Sequence, residues 1–88
     1  MKFTSRPVVI DAWQVGSDLE KPHWIDVELA QGNLQSVNNG RHWLIHNNEH
    51  ATEAPLEAAS GDWIIRGTEG ELYPCNDSVF QKKYRPVS

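Results

Sequence analysis

Asn33-Leu34-Gln35-Ser36-Val37-Asn38-Asn39-Gly40-Arg41-His42-Trp43-Leu44-Ile45-His46 decides how the chain folds. Two extended segments, 33–37 and 41–46, flank Asn38-Asn39-Gly40. Asn-Gly between such segments favours a turn whose central residues take positive φ, so the stretch predicts an antiparallel hairpin. Downstream, the polar break Asn47-Asn48-Glu49 leads to a third strand over 50–54, ended by Pro55. Residues 56–60 read as a loop. Gly61-Asp62 then opens Trp63-Ile64-Ile65-Arg66, Gly67-Thr68-Glu69-Gly70 turns the chain, and Glu71-Leu72-Tyr73 returns before Pro74 ends pairing. Asp77 is placed to cap a helical turn over 78–81. Residues 83–87 close the chain as an edge strand.

Upstream of the hairpin, residues 23–31 predict one short helix. Trp24, Val27 and Ala30, or Ile25 and Leu29, recur at helical spacing, Ser17 or Asp18 offers a cap, and Gly32 supplies the left-handed stop. Pro7-Val8-Val9-Ile10-Asp11-Ala12-Trp13-Gln14-Val15 reads as a strand, with Val8-Val9-Ile10 buried on both faces. The order is one strand, one helix, then a run of short strands. It predicts an α+β domain: a small curled antiparallel sheet, barrel-like, with one short N-terminal helix.

Eighty-eight residues are enough for one domain, spanning 1–88, and too few for two. Four tryptophans argue for a folded core. No run of 18 or more apolar residues is present, so no membrane span is expected, and the first residues lack the apolar core of a secretory signal. The net charge of −4 is unevenly spread. Lys2, Arg6, Lys82, Lys83 and Arg85 stand at the two ends, leaving residues 7–81 with 12 acids against Lys21, Arg41 and Arg66, a formal −9. Binding nucleic acid requires a cationic field, so it is not expected of this body. The terminal cations read as a solvated rim, or as a phosphate-contacting patch if the ends lie side by side. An acidic body also suits a cationic surface on another protein.

Sequence signals for catalysis are sparse. Cys75 is the single cysteine, which fits a reducing compartment. With no histidine within twenty residues of it, it reads as a small buried hydrophobe rather than an activated thiol. His42 and His46 share one strand face about 13 Å apart, too far to grip one metal ion. With His50 they read as a surface cluster. Asp62, Glu71 and Arg66 fall on one hairpin and read as a cross-strand ion pair rather than an acid–base pair. Neither a catalytic centre nor a cofactor is expected.

Gly61-Asp62-Trp63-Ile64-Ile65-Arg66-Gly67, Gly70-Glu71-Leu72-Tyr73-Pro74-Cys75, Phe80 and Tyr84-Arg85-Pro86-Val87 together resemble a family of small tailed-bacteriophage and prophage proteins of unknown function. Arg6-Pro7-Val8-Val9-Ile10-Asp11-Ala12 is similar to the start of the same family. The likeness covers roughly forty residues at the two ends; Ser60 departs from it, since the family commonly has proline there. The resemblance implies a phage origin and residence in the host cytoplasm, and it brings no catalytic residues. On the residues alone, Trp63 with Ile65 and Ile64 with Arg66 are expected on opposite strand faces, with Phe80 and Tyr84 closing the core.

The expected function is therefore noncatalytic: a phage-encoded accessory protein that contacts a host or phage protein, such as an inhibitor or modulator of a host process. Trp24 and Trp43 are expected exposed at that surface, because aromatic side chains give large contact area at low entropy cost. Trp13 and Trp63 are expected inside. The alternative is a module, in this case a homo-oligomer, that binds or sequesters a nucleotide-like small molecule. There Arg41, Arg66, His42 and His46 meet phosphate and an aromatic ring stacks on the base. A virion component is the third class.

Overall fold

The structure, a computed structural model, describes residues 8–17, 20–46 and 55–86. Its centre is the predicted hairpin. Strands β2 (Leu34–Val37) and β3 (His42–Ile45) pair antiparallel from Leu34↔Ile45 to Val37↔His42. Asn38, Asn39 and Gly40 turn the chain with φ of 52°, 57° and 82°. Asparagine tolerates this left-handed region and glycine enters it without strain. Arg41 N–H donates to the Asn38 carbonyl at 3.1 Å, and the Trp43 indole N–H donates to the Gly40 carbonyl at 3.1 Å.

Strand β4 (Leu56–Ala59) pairs along the other side of β3, completing a sheet of order β2-β3-β4. The expectation of a loop over 56–60 is thereby corrected. Ala58 lies opposite Trp43 and is fully buried, so a small side chain here makes room for a large one. The strand expected over 50–54, His50 included, lies outside the described residues.

The second sheet has order β1-β5-β6, from β1 (Asp11–Gln14), β5 (Trp63–Arg66) and β6 (Leu72–Cys75). The β5–β6 hairpin forms where expected, closed by Gly67 N–H donating to the Glu71 carbonyl at 2.8 Å. Pro74 does not end pairing: it lies opposite Ile64, with Cys75 opposite Trp63. Proline is tolerated there because β6 is an edge strand. The barrel-like expectation is corrected too. β4 and β6 approach each other, but no ladder joins them and the two sheets do not close into a barrel.

One apolar face of each sheet turns toward the other. Trp13, Ile64 and Leu72 come from β1-β5-β6, and Leu34, Trp43, Ile45 and Ala58 from β2-β3-β4. Trp13 and Trp43 meet edge to face, centroids 5.4 Å apart at 76°, a geometry that adds about 0.5–1.5 kcal/mol to simple burial. Helix α1 (His23–Ala30) contributes Ile25 to this core, with Trp24 and Leu29 packed against it. Pro22 stands at its N-cap without a side-chain cap, so Ser17 does not serve as one; Asp18 lies outside the described residues. Glu28 is also buried on α1, its carboxylate accepting from Asn33 Nδ2 at 2.7 Å. Val8 and Val9 are 63% and 71% exposed, against the expectation that the Val8-Val9-Ile10 run is buried on both faces.

A second helix, α2 (Asp77–Lys83), replaces the short turn and final edge strand expected near the C-terminus. Asn76, not Asp77, caps it: the Asn76 Oδ1 accepts from Ser78 N–H at 2.9 Å. Lys82 and Lys83 suit the negative end of the helix dipole. Phe80 and Tyr84, one turn apart, explain why the chain coils here. Phe80 stacks on Trp63 at 3.9 Å and Tyr84 lies against Phe80 at 5.1 Å. This covers the outer side of β1-β5-β6, the side that Ile65 shares with Trp63.

Side-chain hydrogen bonds hold both ends of α2. Asp77 Oδ1 accepts from Trp63 Nε1 at 2.9 Å, Gln81 Nε2 at 3.2 Å and Gln14 Nε2 at 3.4 Å. The first two hold the carboxyl below its ordinary value of 3.8. At the other end, the Tyr73 and Tyr84 hydroxyls lie 3.3 Å apart. Burial, then that hydrogen bond, pushes the Tyr73 phenol above its usual range. The depressed carboxyl stabilises above about pH 4 and loses its contribution as the pH falls further; the raised phenol stabilises below about pH 10 and loses it on further rise. Docking of α2, followed by Trp63 fluorescence, is expected to be flat between those limits and to weaken beyond each. Asp77→Asn is expected to flatten the acid limb, and an acid limb identical to wild type would count against this assignment.

Candidate interaction surface

Alternation along β3 divides the residues expected at a binding site. Trp43 and Ile45 point into the core, so His42 and Leu44 point out. The register sets Gln35 and Glu57 beside Leu44, and Val37 and Ala59 beside His42. The outer face of β2-β3-β4 thus has half-buried Val37 and Leu44 along its middle and a polar rim. His42 Nε2 is 3.4 Å from Glu57 Oε2, and His46 Nε2 is 3.2 Å from Gln35 Oε1. Arg41 is exposed at the hairpin end. Arg41, His42 and His46 therefore gather on one surface, as expected. Trp43 does not join them. It is 3% exposed, and its assignment to an exposed binding surface is corrected. Its indole fills the space that Ala58 leaves.

Trp24 and Arg66 form a separate group beside α1. The Arg66 guanidinium lies 5.1 Å from the Trp24 ring centroid. Its Nε and Nη2 donate to Asp11 Oδ2 at 3.1 and 2.6 Å. One face of the guanidinium is thus occupied by an indole and one edge by a carboxylate. Arg66 meets phosphate only by giving up Asp11. Asp11 went unnoticed in the sequence because its pairing with Arg66 spans 55 residues and appears only in the β1–β5 register.

The trio Asp62, Glu71 and Arg66 does not form. Asp62 Oδ2 accepts from Ala59 N–H at 3.0 Å and Glu71 Oε2 from Glu69 N–H at 3.0 Å, so both carboxylates hold turns. Cys75 is half-buried rather than buried, with Sγ 3.5 Å from the Asn76 carbonyl. Among the described residues, no group of three or more His, Cys, Asp or Glu is placed to hold a metal ion. Nor is any described helix long and apolar enough to cross a membrane. In comparisons with known proteins, the chain matches no family, no curated protein and no solved structure.

Proposed function

We propose that the protein is a noncatalytic, phage-encoded accessory module that works in the host cytoplasm by holding a host or phage protein against the outer face of β2-β3-β4. The observation that carries this reading is that face itself: Val37 and Leu44 half-buried at its centre, rimmed by Gln35, Arg41, His42, His46 and Glu57. An apolar centre inside a rim of hydrogen-bonding groups is the usual anatomy of a protein contact. Its groups are weakly engaged, with one histidine–carboxylate contact and one histidine–amide contact, so a partner can compete for them. The phage origin rests on the resemblance at the two ends of the chain.

Leu44→Asp tests this reading. Tagged full-length chain is expected to recover a discrete partner from host lysate, and Leu44→Asp is expected to lose it at unchanged folding. Thr68→Lys, at the exposed tip of the β5–β6 hairpin, is expected to retain it. Equal recovery by wild type and Leu44→Asp, or none by either, would sink the reading.

The second reading is a nucleotide-like ligand on Arg41, His42 and His46. It draws on their gathering at one end of the same face. A ligand at a hundred times its dissociation constant stabilises the folded state by about 2.7 kcal/mol. Thermal unfolding against a nucleotide panel reads that effect directly, and a flat panel removes this alternative.

A further inference from the structure

In the sheet β1-β5-β6 the two edges differ. β6 carries Pro74, which has no N–H to offer another strand. β1 carries no proline, and its backbone pairs with β5 alone. Val15 N–H donates to the Asp62 carbonyl at 2.9 Å, so by the antiparallel alternation Trp13 and Asp11 also face β5 while Gln14 and Ala12 face outward. Gln14 is already engaged, its carbonyl accepting from Ser17 Oγ at 2.8 Å. The open part of the edge therefore begins at Ala12 and runs toward Val8. It is there that Val8 and Val9 stand 63% and 71% exposed, the two most exposed large apolar side chains of the described residues. Unpaired backbone beside exposed β-branched side chains is a template for another strand.

We infer that the protein forms a two-fold homodimer by antiparallel pairing of β1 and the preceding Val8-Val9-Ile10 run with the same segment of a second copy. A two-fold contact needs only one self-complementary patch, and this run is one. Reversed upon itself, it sets β-branched residues against β-branched residues. The acid within it does not oppose the pairing, since Asp11 is already engaged by Arg66. The joined sheet has six strands and ends on both sides at a Pro74-bearing edge, so assembly stops at two. The inference is independent of the β2-β3-β4 face, which stays open in the dimer.

Sedimentation of the full chain over loading concentrations from about 1 µM to about 1 mM tests it. Wild type is expected to move from monomer to twice the monomer mass and no further. Val9→Lys, at a side chain already in solvent, is expected to raise the dissociation constant at least about tenfold, because a lysine on a strand edge opposes pairing. Thr68→Lys, which adds the same charge elsewhere, is expected to leave it unchanged. As dimer forms, the Ala12 amide is expected to exchange with solvent more slowly, while the Trp13 amide, bonded within the sheet, changes little. A monomer throughout the range, an undiminished dimer in Val9→Lys, equal weakening by Thr68→Lys, or an Ala12 amide indifferent to concentration would each overturn the inference.

Discussion

Trp43→Ala is expected to cost about 3–5 kcal/mol of folding stability, the range for deleting a buried aromatic side chain. For 88 residues the whole stability is only about 5–13 kcal/mol, so the variant should lie near or below the limit of folding. Three losses coincide at this position. The edge-to-face contact with Trp13 disappears, the indole N–H no longer closes the hairpin on the Gly40 carbonyl, and the space beside Ala58 empties. Alanine at the opposing position cannot swell to refill it. Urea titration followed by circular dichroism measures the effect. A midpoint close to wild type would mean that Trp43 is not part of the core. The result also governs how binding data are read: loss of a partner in Trp43→Ala reports a damaged fold, whereas loss in Leu44→Asp reports a damaged surface.

Phe80→Ala is expected to cost about 2–3 kcal/mol through lost burial and stacking, and to act locally. α2 has seven residues, too short to stay helical in water without tertiary contacts. Its apolar attachment to the sheet is the Trp63–Phe80 stack, extended by Tyr84. Without Phe80, Asp77 and Tyr84 must hold the helix by exposed or half-exposed hydrogen bonds, which water competes for. The helix is expected to detach before the sheets unfold, with faster tryptic cleavage at Lys82 and Lys83 and a changed Trp63 emission. Wild-type cleavage rates together with an unchanged midpoint would show that α2 is held by something else.

What could be read in the sequence were the features that local chemistry settles. Asn38-Asn39-Gly40 can turn tightly and little else, so the hairpin and its strands stand where expected. Gly67 to Gly70 marks the second hairpin, and Gly32 the end of α1. Features that depend on distant partners were hidden. β4 is a strand because β3 has a free side and Trp43 needs a small neighbour, and neither fact is visible in Leu56-Glu57-Ala58-Ala59. α2 is a helix because Trp63 waits for Phe80, although Lys83-Tyr84-Arg85-Pro86-Val87 alone reads as extended. The same limit applies to the surface. Arg41, His42 and His46 could be grouped from their shared hairpin, but alternation alone does not say which side of β3 faces the core. Trp43 was therefore placed on the wrong side, and Arg66 was matched with nearby carboxylates instead of Asp11.

Pro74 has a consequence for the crowded interior of a cell. A protein built of short strands is always at risk of growing, strand upon strand, into insoluble fibres. A ring nitrogen without a hydrogen breaks the row of donors that such growth would copy, at the margin of the molecule that would otherwise offer a complete one. Whatever joins the opposite margin, the fibre has no second place to start.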